Sequence, residues 1–348
     1  MTTARPGVPS DNPAGPLIAQ LAQRIDEVLA PVVPSAPRYA LLDFPDHQNV
    51  GDNAIWLGET TWLERRLFPS PAYVCTVADY SANALRSSVP DGPILLHGGG
   101  NFGDLWPAHQ RFRERVCQDF PDRTIIQFPQ SVWFEQAEAF ERARAIIGAH
   151  PGFHLFVRDR QSLAAVETFG CWLGFCPDMA FTLGPQRAGA DAIHSLLAVM
   201  REDKEAVAAS ADLRALLADA TVGDWPKADP IRVGASATEP SEERFRAFQA
   251  AATQRLARGL DLLCSGRAVV TDRLHGHILC LLLGKPHMVA DNSYGKLSSF
   301  ISCWTTGAPG LDMTLAPSSR PMVSTAVPTA SGASPSEGRT ERRDWFSN

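Results

Sequence analysis

The chain has 348 residues, of which 45% are apolar, and carries a formal charge of -6. This length suffices for two hydrophobic cores, since a single core rarely grows beyond ~250–300 residues. The negative charge excludes a global positive field that would gather nucleic acid or an anionic membrane, so an anionic ligand needs a local cluster of cations. The seven cysteines form no C-x-x-C pair and indicate core residues in a reducing cytoplasm.

The two ends of the chain have a low-complexity composition. Residues 1–35 are rich in Pro, Ser and Gly near the start and lack the apolar run of a secretory signal, which predicts a partly flexible extension. The segment 316–348 is dominated by Pro, Ser, Thr and charged residues, which predicts a disordered tail. Because the longest apolar runs are shorter than the ~20 residues that span a bilayer, we expect a cytoplasmic protein.

Between these ends, short apolar runs alternate with helical patterns. In the first half we predict strands at 39–44, 93–97, 124–128 and 153–157 and helices at 53–67 and 161–169. In the second half we predict strands at 196–200, 267–271 and 287–290 and helices at 241–264 and 277–283. Such alternation is typical of parallel sheets covered by helices. The sequence therefore predicts two α/β domains that face each other across a cleft, at 36–187 and 188–315.

The stretch HGGGNFGDLW at 97–106 has the G-x-G-x-x-G spacing of dinucleotide-binding loops. Such a site also needs a helix directly after the glycines and an acidic residue ~20 positions further on, at the end of the next strand. Here Pro107 follows closely after Gly103, and the next predicted strand ends without a carboxylate. The pattern instead favours a glycine-rich substrate loop that presents Asn101 and Asp104, with a plain tight turn as the alternative.

Polar residues also follow other predicted strands of the first half. Asn49, Asp52 and Asn53 come after the first strand and before a helix, whose N-terminal N–H groups can bind a ligand oxygen. Asp52 can instead cap that helix. Arg158 follows the strand at 153–157. Several loops at one sheet edge therefore converge on one place.

In the second half, the run TDRLHGH at 271–277 follows a strand and begins a helix. Arg273 offers a permanently charged guanidinium that can bind the carboxylate or phosphate of a ligand, or can instead pair with a structural carboxylate of the protein. His275 can titrate near neutral pH. His275 and His277 resemble a metal pair, but no further ligand cluster completes a site, so we predict no metal. Lys296 follows another strand and is either a ligand-binding cation or a solvated surface lysine.

These motifs, in this order, resemble those of the polysaccharide pyruvyl transferase family. The resemblance covers roughly residues 40 to 300, although the connection at 206–232 shows no clear family pattern. The matching stretches are NVGDN at 49–53, LLHGGGNFGD at 95–104, FPQS at 128–131, VRD at 157–159, PDMAF at 177–181, MREDKE at 200–205, VTDRLHG at 270–276 and DNSYGK at 291–296. The resemblance implies two Rossmann-like domains like those of the GT-B glycosyltransferases. It also implies transfer of a pyruvyl group from phosphoenolpyruvate to a sugar of an exopolysaccharide or cell-surface glycan precursor, usually as a cyclic ketal.

Phosphoenolpyruvate carries a carboxylate and a phosphate, so its binding in a cleft requires several cations. The predicted donor-binding residues are Arg158, Arg273, His275 and Lys296. The predicted acceptor-binding residues are Asn49, Asp52, Asn53, Asn101 and Asp104. We expect His275 to act as the general acid and Asp52 or Asp104 to orient or deprotonate the acceptor.

No cofactor besides the donor substrate and no nucleic-acid partner are expected. The acceptor sugar is free, polymeric or lipid-linked, and in the last case the protein would work at the inner face of the membrane. Three other functions stay open from the sequence: a nucleotide-sugar glycosyltransferase of GT-B type, a non-catalytic sugar- or anion-binding protein, and a metal-dependent hydrolase.

Overall fold

A computed structural model describes residues 12–66, 70–202, 210–226, 241–291 and 295–313. The predicted disordered tail at 316–348 lies outside these residues, as do residues 1–11 of the predicted N-terminal extension.

The first half of the chain builds a parallel sheet in the order β2-β1-β3-β5-β6-β7, with β4 paired to β5. Its elements in chain order are α1 (Gly15–Leu29), β1 (Ala40–Leu42), α2 (Val50–Glu64), β2 (Tyr73–Cys75), α3 (Ala82–Ser88), β3 (Ile94–Leu96), β4 (Gly99–Gly103), α4 (Pro107–Asp119), β5 (Ile125–Trp133), α5 (Ala137–Gly148), β6 (Phe153–Val157), α6 (Arg160–Val166), β7 (Trp172–Phe175) and a 3-10 helix (Met179–Leu183).

The second half builds a parallel sheet in the order β12-β11-β10-β8-β9. Its elements are β8 (His194–Val199), α7 (Ala211–Leu217), β9 (Thr221–Gly223), α8 (Ser241–Ser265), β10 (Gly266–Thr271), α9 (Leu274–Leu283), β11 (His287–Val289), α10 (Lys296–Trp304) and β12 (Leu311–Asp312). The prediction of a Rossmann-like α/β fold with parallel sheets is confirmed.

Side chains at the helix ends explain where several of these helices begin and stop. Asn49 caps α2 by accepting a hydrogen bond from the N–H of Gly51, and Asp159 caps α6 by accepting one from the N–H of Ser162. Both bonds satisfy N–H groups that have no partner within the helix. Gly284 ends α9 with a φ of 68°, a left-handed conformation that favours glycine.

Helix α1 lies within residues 1–35, for which the sequence predicted a partly flexible extension. Its residues Ile18, Leu21, Ile25 and Val28 are buried and recur at helical spacing. They belong to the core formed with the 3-10 helix and α9. The Pro-rich composition before α1 conceals this short amphipathic pattern.

The glycine-rich stretch forms a strand, where the sequence predicted a substrate loop with a tight turn as the alternative. Gly99 to Gly103 forms strand β4, in which Gly99 pairs with Gln130 of β5 across a bulged register. Gly99 and Gly103 have φ values of 124° and 122°, which residues with a side chain rarely adopt. Because β4 supplies a second partner, β5 continues to Trp133 instead of ending in a loop after residue 128.

Helix α8 connects the two halves, although it comes late in the sequence. Phe248 stacks on Phe44 with 4.0 Å between ring centroids, and Gln249 accepts a 2.7 Å hydrogen bond from the indole N–H of Trp56. Buried residues of α1, α2, α8 and α9 thereby form one continuous core.

Across the described ranges, none of the helices is long and apolar enough to cross a membrane.

Candidate active site

His275 lies in the first turn of α9 and contacts the first half of the chain on both sides of its ring. Its Nε2 atom lies 3.3 Å from Oδ2 of Asp178, which begins the 3-10 helix. On the other side the ring packs against Gly51 in the first turn of α2, where an added Cβ would lie only 2.3 Å from Nδ1. The imidazole therefore lies between a carboxylate and the backbone of α2. Only glycine at position 51 leaves room for the ring, because any Cβ there would overlap it.

Asp178 connects His275 with Arg158, the residue that follows β6. Both Asp178 and Arg158 are 1% exposed and form an ion pair. Arg158 also donates from Nε to Oγ of Ser131 at 3.0 Å. Burial opposes ionisation of Asp178, but His275 and Arg158 outweigh it and hold the pKa of this carboxyl well below its ordinary value. Two predicted donor-binding residues are thus brought together by an acid for which no role was predicted.

Asp178 itself belongs to the stretch at 177–181 that carries the family resemblance. Two signals in the sequence could have identified Asp178. It lies in this stretch, and the stretch follows an apolar run that ends at Phe175.

Arg273 lies at the N-terminus of α9 and is held by two residues that follow β9. Its Nε and Nη2 form a bidentate ion pair with Asp224, and its Cζ lies 5.8 Å from the ring centroid of Trp225. The neighbouring Asp272 accepts a 2.9 Å hydrogen bond from the N–H of Arg201, and burial raises its pKa to about 6. Arg273 therefore pairs with a carboxylate of the protein, Asp224, as the alternative from the sequence expected.

Lys296 is the first residue of α10, so its backbone lies at a helix N-terminus. Its side chain lies outside the described part of the structure.

Asp52 lies beside the glycine-rich strand, as the sequence predicted for a shared sheet edge. Its Oδ1 atom is 3.5 Å from the position that a Cβ would take on Gly99. Nε2 of His47 lies 3.6 Å from Oδ2 of Asp52, and the two side chains are 44% and 23% exposed. Since Asn49 caps α2, Asp52 is not the capping residue. This pair is accessible to a ligand and carries groups that can accept a proton.

Two of the predicted acceptor-binding residues have structural positions instead. Asn53 is fully buried, and its amide donates to the carbonyl oxygens of His47 and Asn49 at 3.1 and 2.8 Å. The amide is therefore engaged with the backbone of its own loop, a use that differs from the predicted contact with a sugar. Asp104 accepts hydrogen bonds from the N–H groups of Glu135 and Gln136 just before α5, a use of its carboxylate that differs from the predicted catalytic role.

Asn101 takes part in a polar network beneath the strand ends. Its Oδ1 accepts from Nη2 of Arg113 and Nε2 of Gln130, both at 3.0 Å, and its Nδ2 lies 3.4 Å from Oδ2 of Asp43. Asp43 has a φ of 70°, is 3% exposed and lies 2.9 Å from Nδ1 of His109. A strained, non-glycine residue at a strand end is a signature of a functional site. The sequence concealed Asp43 because it falls within a predicted apolar strand.

A second buried acid lies under the glycine-rich stretch. Glu59 of α2 is fully buried, accepts a 2.7 Å hydrogen bond from the N–H of Gly98 and contacts Nδ1 of His97 at 2.8 Å. Burial raises the pKa of Glu59. Burial alone would lower the pKa of His97, but Glu59 outweighs it and raises that pKa. Glu59 therefore fixes the start of the glycine-rich stretch.

The side chains of His275 and His277 do not converge on one place where they could bind the same metal ion. His277 is buried and directed toward β11 and the end of α10, where it contacts Nε2 of His287 at 2.8 Å and Oγ1 of Thr305 at 2.9 Å. In the residues that the structure describes, no group of three or more His, Cys, Asp or Glu side chains is arranged to hold a metal ion.

Comparison with known proteins gives a family profile and relatives that agree with each other. The profile of the polysaccharide pyruvyl transferase family matches residues 49–294. Pyruvyl transferase 1 of Schizosaccharomyces pombe is 37% identical over 289 residues, which cover 78% of this chain and 70% of the relative. The putative pyruvyl transferase EpsO of Bacillus subtilis is 28% identical over 309 residues, covering 83% of this chain and 92% of the relative.

A crystal structure of a functionally uncharacterized protein from Klebsiella pneumoniae superposes with a TM-score of 0.52 at 17% identity, over 80% of this chain and 93% of that one. This likeness concerns the fold alone. The family profile covers most of the chain and includes the segments that hold Asp52, Arg158, Asp178, Arg273 and His275. The chain therefore belongs to the polysaccharide pyruvyl transferase family and is a transferase.

Proposed function

We propose that this enzyme transfers a pyruvyl group from phosphoenolpyruvate to two hydroxyls of a sugar in an exopolysaccharide or cell-surface glycan precursor. The products are a pyruvate ketal and inorganic phosphate. The observation that carries the proposal is the contact of one buried carboxylate, Asp178, with both Arg158 and His275. An anion-binding cation and a titratable group thereby meet at one place, which is what an anionic donor that must be protonated requires.

The donor side of the site is assembled from residues at separate strand ends. Arg158 and Arg273 are each held by a buried or nearly buried acid, Asp178 and Asp224. Both guanidinium groups are therefore oriented before a ligand binds, which lowers the entropic cost of binding. In the proposal these two arginines contact the carboxylate and phosphate of phosphoenolpyruvate, and Lys296 supplies a third cation.

Chemistry begins with proton transfer from the His275 imidazole to the methylene carbon of phosphoenolpyruvate. C2 then becomes electrophilic, and a sugar hydroxyl attacks it while a base removes the hydroxyl proton. Phosphate leaves with the electrons of the C2–O bond and takes up the proton that the base removed. Attack of a second hydroxyl on C2 closes the ketal, and the proton of this hydroxyl returns to His275. Asp178 orients the imidazole, as a carboxylate does beside a catalytic histidine.

Asp52 is the proposed base for the acceptor, assisted by the nearby His47. The absence of a side chain on Gly99 leaves room for a sugar to approach this pair. We also propose that the two parallel sheets form the two domains of a GT-B-like architecture, with the acceptor on the first sheet and the donor between the second sheet and Arg158 of the first.

The proposal is tested by incubating the purified protein with phosphoenolpyruvate and a panel of glycosides and lipid-linked oligosaccharides. We expect phosphate release together with an acceptor mass gain equal to pyruvic acid less one water. The His275→Ala variant should lose this activity, whereas Arg246→Ala, at an exposed position of α8, should retain it. Near-normal turnover by His275→Ala would refute the role of the imidazole.

The same experiment separates the rival functions. Turnover of a nucleotide sugar without consumption of phosphoenolpyruvate would indicate a GT-B-type glycosyltransferase. Binding of phosphoenolpyruvate without product, with every acceptor, would indicate a non-catalytic binding protein. Activity that disappears with a chelator would indicate a metal-dependent enzyme.

A further inference from the structure

Arg255 is a buried cation outside the groups used in the proposed reaction. It lies in the middle of α8, is 2% exposed and extends toward the loop between β1 and α2. Burying a guanidinium is costly unless its N–H groups are satisfied, so its contacts indicate what it stabilises.

The guanidinium contacts two oxygens of this loop and one in the first turns of α2. Nη1 donates to the carbonyl oxygen of Pro45 at 3.0 Å and lies 3.4 Å from Oδ1 of Asn53, and Nη2 donates to Oδ1 of Asp46 at 2.8 Å. One side chain of α8 therefore holds the start of the loop and its end, where α2 begins.

Asn53 passes this constraint to the rest of the loop. While its Oδ1 faces Arg255, its Nδ2 donates to the carbonyl oxygens of His47 and Asn49. Asn49 in turn accepts from the N–H of Gly51 at 2.9 Å. The segment fixed in this way carries His47 and Asp52, which are partly exposed, and it places Gly51 against the ring of His275.

Helix α8 has contacts with the first half of the chain besides those of this cation, although Cζ of Arg255 also lies 5.8 Å from the ring centroid of Phe44. Phe248 stacks on Phe44, and Gly259 packs so closely against Val50 that an added Cβ would lie 2.2 Å from its Cγ1 atom. An apolar residue at position 255 could also fill space there without desolvating a charge. What a guanidinium adds is a set of directional hydrogen bonds that fix the loop.

We infer that Arg255 is a positioning residue for the acceptor side of the site: it fixes the segment at 45–53 so that Asp52 stays beside Gly99 and Gly51 stays against the ring of His275. This inference rests on the proposed function. The donor-binding arginines follow other strands and are held by Asp178 and Asp224, so Arg255 governs use of the acceptor and not affinity for the donor.

The test compares Arg255→Lys, which keeps the charge but loses the fork, with Arg246→Lys on the same helix. The Arg246 side chain is 68% exposed and pairs with Glu242 one turn away, so it serves as the matched control. Three quantities are measured for each protein: the Kd for phosphoenolpyruvate, kcat and KM for the acceptor, and hydrogen exchange of amides across the chain.

For Arg255→Lys we expect kcat/KM for the acceptor to fall ~10–100-fold, as misplacement of reacting groups by about 1 Å does. The Kd for phosphoenolpyruvate should stay within about twofold of the wild-type value, and faster exchange should be confined to the loop at 45–53. Asn53→Ala, which interrupts the same chain of hydrogen bonds, should have the same pattern, and Arg246→Lys should match the wild type. Should Arg255→Lys fail to fold, Asn53→Ala provides the test.

Two results would overturn the inference. One is an acceptor kcat/KM within about twofold of wild type in folded Arg255→Lys. The other is an equal loss of donor affinity and acceptor use with faster exchange throughout the chain, which is the pattern of a merely structural residue. If the wild-type chain turns over no acceptor at all, the proposed function fails and the assignment to the acceptor side falls with it.

Discussion

Replacing Gly51 by alanine tests whether the position of the His275 ring controls the reaction. The added Cβ would lie 2.3, 2.4 and 2.6 Å from Nδ1, Cγ and Cβ of His275, while ordinary carbon contacts begin near ~3.4 Å. Either the ring or the start of α2 must therefore move by about 1 Å. The ring cannot simply retreat, because Asp178 lies 3.3 Å from Nε2 on its other side.

A displacement of this size at a reacting group costs ~100-fold in rate, or about 2.7 kcal/mol of transition-state stabilisation. We expect kcat of Gly51→Ala, measured by phosphate release, to fall by about this factor. The effect on stability is smaller. Alanine gains up to ~1 kcal/mol over glycine in a helix interior, and this offsets part of the ~1–3 kcal/mol cost of overpacking.

Gly15→Ala is the matched control, because a Cβ at this first residue of α1 meets no atom within 4 Å. It should leave kcat unchanged and preserve or slightly raise the free energy of unfolding. If Gly51→Ala retained kcat within about twofold of wild type, the imidazole would not need the position it has in this structure, and its role as the acid would be refuted.

Three further substitutions test the buried acids. Asp178→Asn should lower kcat by ~100-fold or more and destabilise the fold by about 3–5 kcal/mol, since Arg158 and His275 lose a buried counter-charge; unchanged denaturant unfolding would contradict this. Glu59→Gln should destabilise by a similar amount, because buried His97 loses its anionic partner, and equal unfolding midpoints for variant and wild type would show that the pair contributes little. Burial raises the pKa of Asp272 from 3.8 to about 6, so the native state binds its proton more tightly than the unfolded state and stability falls as pH rises through this window. Asp272→Asn should therefore gain stability relative to wild type by up to about 3 kcal/mol between pH 4 and pH 7, and a difference that does not vary with pH would refute the shift.

The sequence predicted strands β1, β3, β5, β6, β8, β10 and β11, because strands of parallel sheets are buried on both faces and appear as continuous apolar runs. It did not predict β2, β4, β7, β9 and β12. The strand at 153–157 was predicted with the bounds it has in the structure, and the helix at 241–264 was one residue short. Element ends were less accurate where tertiary partners decide them. Strand β5 extends to Trp133 only because β4, a glycine-containing segment with no strand pattern, pairs with it.

Candidate site residues were predictable where polar side chains follow a strand directly, as Arg158 and Arg273 do. Glu59 was not predictable in this way, because it lies in the middle of α2 and only the folded chain brings His97 and Gly98 within hydrogen-bond distance of it. Asn53 shows the opposite case. It lies in a polar loop and looks like a ligand-binding residue, yet the packing of α8 buries it completely.

The acids that hold Arg158 and Arg273 differ in how far a sequence can reveal them. A cation buried at a sheet edge requires a buried partner, so the search for one is physically justified once Arg158 is assigned there. Asp178 follows β7, the strand next to β6 in both sequence and sheet, so adjacency of parallel strand ends would have identified it. Asp224 follows β9, which is separated from β10 by β8, and only the side-chain reach of Arg273 across that strand brings the two charges together. Partners on neighbouring strand ends can therefore be inferred from topology, whereas partners across an intervening strand require the three-dimensional structure.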